Sequence, residues 1–175
     1  MHQTDVLIIG GGILGCAAAY YLARQGVSVI VADKGSLAGE ATGASTAGLT
    51  LQNRSPSRLP FYEAAAQHWP SLGDELGADL GYIQCGSLTV AHTADEFERL
   101  RAEVASLQTL GLEVECISQG EANSMTPWIA EDIAGVGYCP LDGFVEPDAP
   151  PKAFIDAAGR YDAVFLPDHA VTAID

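Results

Sequence analysis

Six residues near the start of the chain, Gly10-Gly11-Gly12-Ile13-Leu14-Gly15, satisfy G-x-G-x-x-G and separate two hydrophobic patterns of different period. Before them, Asp5-Val-Leu-Ile-Ile is a short, β-branched apolar run, which reads as a fully buried strand of a parallel sheet. After them, Leu14, Ala17, Ala18, Tyr21 and Leu22 fall at i, i+3, i+4, i+7 and i+8, which predicts one apolar face of a helix ending near Gly26. Val27-Ser-Val-Ile-Val-Ala32 is a second strand-like run, closed by Asp33. Strand, helix and strand within about thirty residues make a βαβ unit with a right-handed crossover.

Each part of this junction has a physical role in binding a dinucleotide. Gly10 permits the tight turn out of the strand. Gly12 has no Cβ, so a pyrophosphate can approach the backbone, and Gly15 lets the helix pack closely on the sheet. The unbonded N–H groups and the dipole of the helix hold phosphate without a lysine. Asp33 stands where a carboxylate accepts hydrogen bonds from the adenosine ribose, and it disfavours a 2′-phosphorylated cofactor.

That absence of lysine matters because the chain is strongly acidic: 175 residues carry 8 Lys and Arg against 23 Asp and Glu, a net charge of −15. Nucleic acid and anionic membrane surfaces are excluded as general partners, since no basic cluster offsets the repulsion. With 48% hydrophobic and 18% charged residues the chain is too apolar for disorder. Val6 to Ala23 is uncharged, but its glycines and the lack of a basic flank exclude a membrane span or signal peptide, and a cytoplasmic location is expected. Cys16, Cys85, Cys116 and Cys139 have no metal-ligand spacing and read as buried small hydrophobes, so no metal is expected.

Asp33 does not separate NAD from FAD. Gly35 to Leu49 does more, because it is almost entirely Gly, Ala, Ser and Thr. Such a stretch suits a second close-approach loop along an extended cofactor, with Thr42, Ser45 and neighbouring N–H groups meeting pyrophosphate or ribityl oxygens. A plain NAD site calls for no such loop. A mobile surface loop is the alternative.

These residues, with Ala41-Thr42-Gly43-Ala44-Ser45-Thr46-Ala47-Gly48-Leu49, Gly86-Ser87-Leu88 and Asp142-Gly143-Phe144-Val145-Glu146-Pro147, resemble the FAD-dependent amino-acid oxidases and dehydrogenases of the D-amino-acid oxidase, glycine oxidase and sarcosine oxidase type. The run Gly48-Leu-Thr-Leu-Gln-Asn53 is similar to the opine-oxidase and cyanide-forming glycine dehydrogenase branch. The resemblance implies an FAD-dependent oxidoreductase acting on the C–N bond of an amino acid or secondary amine, with hydride passing to flavin N5 and the imine hydrolysing afterwards. Carried over by position, it implies FAD contacts at Gly10, Gly12, Leu14, Gly15, Asp33, Lys34, Thr42, Ser45, Ala47, Gly48 and Leu49. It adds Val171, in a strand His169-Ala-Val-Thr-Ala-Ile174. Many family members carry Glu where Asp33 stands. No catalytic residue declares itself, and His2, His68, His92 and His169 have no motif partner. Arg54 and Arg58 could meet a substrate carboxylate. The alternatives are an NAD-dependent dehydrogenase and a truncated or non-catalytic FAD-binding subunit.

The fold class expected is α/β: a Rossmann-like βαβ parallel sheet with an inserted α+β substrate-type domain, incomplete at its C-terminus. Residues 1–59 form the first part of the FAD-binding domain, 60–145 the insertion, and 146–175 the return, with Ala163–Leu166 as third strand in the order 3-2-1. Phe61, Ala64, Ala65, His68, Leu72 and Leu76 predict a helix kinked or split at Pro70, with His68 and Trp69 as core or interface residues. Thr93 and Glu96 form a capping box for a helix whose apolar face is Phe97, Leu100, Val104, Leu107 and Leu110. By resemblance, family members are about twice this length, so either the chain is a fragment or a complementary chain completes it. The former is favoured.

Overall fold

The computed structural model describes residues 3–52 and 54–174. In chain order its elements are β1 (Val6–Ile9), α1 (Ile13–Ala23), β2 (Val29–Ala32), β3 (Gly48–Leu49), α2 (Leu59–Leu76), β4 (Ser87–Ala91), α3 (Ala94–Thr109), β5 (Glu115–Ile117), α4 (Gln119–Met125), β6 (Gly135–Cys139), β7 (Gly143–Phe144), α5 (Ala149–Gly159) and β8 (Val164–Leu166). They form two units. The first comprises Met1–Ala47, Ser71–Tyr82 and Val145–Asp175, and the second Gly48–Pro70 and Ile83–Phe144.

The first unit is built on a parallel sheet in the order β1-β2-β8, the 3-2-1 order read from the sequence. Val6 pairs with Val29 and Ile9 with Ala32, and Ile30 pairs with Val164 across the next ladder. Ala19 and Ala23 of α1 pack with Val29 and Val31, flanked by Ile8, Leu22 and Phe165. Helix α5 lies beside α1, with the Tyr20 and Phe154 ring centroids 5.8 Å apart.

Two expectations for β1 and α1 are corrected. β1 is not fully buried: Leu7 is 49% and Ile9 57% exposed, because α1 packs against one side of this edge strand and the side chains alternate across it. The buried face of α1 is Cys16, Ala19, Tyr20 and Ala23, whereas Leu14 is exposed. Helix α1 carries no charged residue, so its periodicity could not select a face; the packing of small alanines does.

In the second unit an antiparallel sheet in the order β4-β6-β5 carries α3. Leu100, Val104 and Leu107 are buried with Ala91, Leu112, Val114 and Cys139, while Leu110 at the expected end of that face is exposed. The Thr93 capping box forms, and a second one, Ser118 with Glu121, starts α4. The sequence carries the same S-x-x-E signal at Ser118. Helix α2 is a single run with Pro70 inside it, not two helices. Within the second unit its packed residues are Leu59, Tyr62 and Ala66; the expected Phe61, Ala64, Ala65 and His68 are exposed and Trp69 is half-buried, while Leu72 and Leu76, in the part that belongs to the first unit, are buried as expected. After Gly86 the chain forms β4, whereas before it Ile83 makes only an isolated bridge to Phe144.

All four cysteines are free thiols; Cys16 and Cys139 are buried, but Cys85 and Cys116 are exposed, contrary to expectation. No helix among the described residues is long and apolar enough to cross a membrane.

Candidate functional site

The turn from β1 into α1 opens onto a hollow of about 210 Å³ lined by Gly10, Gly12, Asp33, Ala38, Glu40 and Thr42. Gly10 has φ +104°, a backbone that L side chains rarely adopt. A Cβ on Gly15 would stand 2.0 Å from the Gly10 carbonyl oxygen, so only glycine permits this turn to fold back on α1. Gly12 caps α1 without a side chain, and a Cβ there would meet only the Thr42 hydroxyl, at 3.1 Å.

The first N–H groups of a helix have no partner within it. At this end, Ile13 donates to Thr42 Oγ1 at 3.1 Å and Gly11 donates to Asp33 Oδ2 at 2.7 Å. Among the described residues no protein acceptor meets the N–H of Gly12 or Leu14. The Gly12 donor, at a positive helix end, therefore borders a hollow with no side chain at Gly10 or Gly12, the chemistry that receives phosphate oxygens.

Asp33 lines the same hollow. Its Oδ1 accepts the Gly35 N–H at 2.9 Å and its Oδ2 that of Gly11. The Gly35 bond first, and the Gly11 bond next, hold its carboxyl below the usual aspartate range. Each oxygen keeps a further lone pair for a ligand hydroxyl. Lys34 lies outside the hollow and pairs with Glu40 at 2.9 Å, both exposed. The Leu14 side chain is 85% exposed.

The small-residue stretch is tied to the fingerprint rather than hanging free. Ala38 N–H bonds to the Gly11 carbonyl at 2.9 Å, and Gly43 N–H to that of Ala38 at 2.8 Å. Gly11, which the motif leaves unspecified, is the residue that sequence reading missed. A Cβ there would lie 2.4 Å from Leu37 Cδ2. Beyond the hollow, Ser45 Oγ accepts the Ala47 N–H at 3.2 Å, and Ala47 takes φ +51°.

Gly48 and Leu49 belong to the second unit, where β3 pairs antiparallel with β7. Val171 is not in a strand, contrary to expectation. The chain turns at Asp168 (φ +57°) and is bonded along Asp33–Gly35, His169 N–H to the Asp33 carbonyl at 2.7 Å and Asp168 N–H to that of Gly35 at 3.0 Å. The half-buried Val171 follows directly.

The second unit holds two further polar features. Asp142 is fully buried and accepts from Leu51 N–H and from Ser87 Oγ, each at 2.6 Å. Arg54 is laid over the Tyr62 ring at 5.3 Å and donates to the Thr50 carbonyl and hydroxyl at 3.1 and 2.8 Å. Arg58 is exposed at the end of a 3-10 turn. His2 and Asn53 lie outside the described residues. No group of three or more His, Cys, Asp or Glu among the described residues could hold a metal ion.

A family model described as FAD dependent oxidoreductase matches residues 5–175. Among curated proteins, glycine oxidase of Geobacillus kaustophilus (strain HTA426) is 33% identical, over 82% of this chain and 40% of its own length. The mitochondrial sarcosine dehydrogenase of Mus musculus is 30% identical, over 98% of this chain and 19% of its own length. The crystal structure of glycine oxidase from Geobacillus kaustophilus superimposes with a TM-score of 0.90 at 30% identity, covering 96% of this chain and 47% of that one. The chain thus spans less than half the length of these relatives. Of the two dinucleotides that the fingerprint left open, the family match selects FAD.

Proposed function

The chain belongs to the FAD dependent oxidoreductase family, and on that premise we propose that it binds FAD with its diphosphate at the β1–α1 turn and forms the nucleotide-binding part of an enzyme oxidising the C–N bond of an amino acid or secondary amine. One observation carries this reading: the bare backbone at Gly10 and Gly12 faces the same hollow as Asp33 and Thr42, with the N–H groups of Gly12 and Leu14 unbonded. An acidic chain thereby holds an anion on backbone dipoles, where a lysine is not needed.

In this reading Gly10, Gly12, Leu14 and Gly15 provide the diphosphate seat. Asp33 accepts from the ribose, Lys34 and Val171 flank the adenosine, and Thr42 donates its free hydroxyl hydrogen to a phosphate oxygen while accepting from Ile13. Ser45, Ala47, Gly48 and Leu49 continue along the cofactor. When bound, FAD supplies the two-electron oxidation; the chain supplies position and electrostatics. Arg54 is the candidate anchor for a substrate carboxylate: its guanidinium is already oriented by Thr50 and Tyr62, and no acidic side chain among the described residues pairs with it. The remaining strands and substrate contacts come from further polypeptide or from a complementary chain. A reducing cytoplasm suits the four free thiols.

The test is FAD binding by the purified chain, followed as flavin fluorescence quenching. Wild type is expected to bind FAD and turn yellow. Gly12→Val should weaken binding by about a hundredfold or more, because a branched side chain enters the diphosphate path. Unchanged affinity in that variant, or no binding by wild type, overturns the assignment.

A further inference from the structure

Three stretches that carry the family resemblance, Gly48–Gln52, Gly86-Ser87-Leu88 and Asp142-Gly143-Phe144, meet at one buried point inside the second unit. Asp142 is 0% exposed and has its carboxylate between two donors, Leu51 N–H on Oδ1 and Ser87 Oγ on Oδ2, each at 2.6 Å. Its own carbonyl accepts the Gly86 N–H at 2.8 Å. The Cys139 thiol also meets this carboxylate, and no cation is present in the set, so hydrogen-bond donors alone satisfy it.

The polarity of the cluster is fixed from one end. A carboxylate accepts and does not donate, so the Ser87 hydroxyl must spend its hydrogen on Asp142. Ser87 Oγ can then only accept, and it does so from Gln52 Nε2, which also donates to the Ser87 carbonyl at 2.9 Å. A carbonyl cannot donate, so the nitrogen of the Gln52 amide must face Ser87. The amide oxygen is left buried with no hydrogen-bond partner among the described residues. A buried acceptor without a donor is costly, and its presence means that the segment is held by something stronger than its own preference.

That holding force does not come from β3 itself, which is two residues long and makes one short ladder to β7. Gly143, next to Asp142, pairs with Leu49 in that ladder and cannot carry a side chain, since a Cβ would lie 2.3 Å from the Ile83 carbonyl oxygen. Asp142 is thus locked from behind and grips Leu51 in front.

We propose that Asp142 is a positioning residue that sets the backbone of Gly48–Gln52, acting directly on Leu51 and through Ser87 on Gln52. Resting on the function proposed above, in which Gly48 and Leu49 meet the cofactor, Asp142 thereby sets the surroundings of the bound flavin without touching it. Its removal should alter the flavin's spectrum while leaving the diphosphate seat intact.

The experiment has two readouts on wild type, Asp142→Asn and Ser87→Ala. The first is hydrogen exchange at the Leu51 amide without FAD, where each variant should exchange at least about tenfold faster than wild type. The second is the visible absorbance and circular dichroism of the FAD complex, expected to shift in both variants with less than about a threefold change in the FAD dissociation constant. Ser87→Thr, which restores the hydroxyl, should return both signals toward wild type. Unchanged Leu51 exchange in Asp142→Asn and Ser87→Ala overturns the proposal, as does altered exchange with an unshifted flavin spectrum. If wild type binds no FAD, the parent assignment and this proposal fall together; if wild type binds and only the variant spectra fail to move, this proposal alone falls. Should Asp142→Asn not fold, Ser87→Ala carries both readouts.

Discussion

The N–H of Ile13 ends on the Thr42 hydroxyl, 3.1 Å away across 29 positions of sequence, so the small-residue loop caps the helix that opens the dinucleotide fingerprint. Gly12 at the capping position has no side chain to do this itself. Thr42→Val keeps the shape and removes the acceptor. It should cost about 1 kcal/mol of stability by urea unfolding and weaken FAD binding about tenfold, with Thr42→Ser close to wild type in both. Equal stability of Val and Thr variants would mean that the hydroxyl does not cap α1.

Asp33 makes the first unit sensitive to acid. Its folded-state pKa lies below the ordinary aspartate value because the Gly35 and Gly11 N–H groups stabilise the charged form. A depressed carboxyl contributes stability that is present above the unfolded-state pKa and lost as pH falls through the folded-state value. Wild type should therefore melt above Asp33→Asn at neutral pH, with the gap closing below the usual aspartate range. Parallel melting curves from about pH 7 to about pH 3 would exclude this role. Asp33 is partly exposed, so the gap is expected to be small and to narrow with added salt.

How far the sequence could be read follows from what each element depends on. The βαβ unit was legible because β1, the glycine turn, α1 and β2 are contiguous and each carries its own local pattern. The buried side of α1 was not, because a helix reading Ile-Leu-Gly-Cys-Ala-Ala-Ala-Tyr-Tyr-Leu-Ala has no charged side to exclude. Glycines 10, 12 and 15 could be assigned by rule, but the contact of Gly11 with the Leu37 side chain is made only by the folded loop. Asp142 lies 91 positions from Leu51 and 55 from Ser87, and no local period links the three. The resemblance implies a strand around Val171, yet its segment is bonded to the Asp33–Gly35 backbone through turn residues and joins no ladder.

The two capping boxes should be separable by substitution. Thr93 Oγ1 accepts from Glu96 N–H at 3.2 Å, and Glu96 Oε2 accepts from the N–H of His92 at 2.8 Å and of Thr93 at 3.1 Å. The His92 bond, then the Thr93 bond, lowers the Glu96 carboxyl below its ordinary value. Thr93→Ala should cost about 1 kcal/mol. The Glu96 contribution is present above the unfolded-state pKa and fades as pH falls through the lower folded-state value, so Glu96→Gln should approach wild type in acid. Ser118→Ala should act only on the seven-residue α4 and leave amide protection in α3 unchanged. Loss of α3 protection in Ser118→Ala would show that the two caps act as one cooperative element.

Gly15 and Gly35 offer a direct contrast between a glycine the fold requires and one it does not. A methyl group on Gly15 would be driven to 2.0 Å from the Gly10 carbonyl oxygen, and Ile8 Cγ2 stands 3.3 Å away on the sheet side. Both obstacles belong to β1 and its turn, so relief requires α1 to move off the sheet and the N–H groups at its start to leave the hollow. Gly15→Ala should therefore lose about 3 kcal/mol or more and most of its FAD affinity together. Nothing lies within 4 Å of a Cβ on Gly35, and its φ lies outside the left-handed region. Gly35→Ala keeps the N–H that Asp33 accepts and should remain within about 0.5 kcal/mol of wild type with FAD binding intact. Urea unfolding and FAD titration of the two variants side by side decide the matter: a stable, FAD-binding Gly15→Ala protein would mean that α1 does not pack against the turn at this distance.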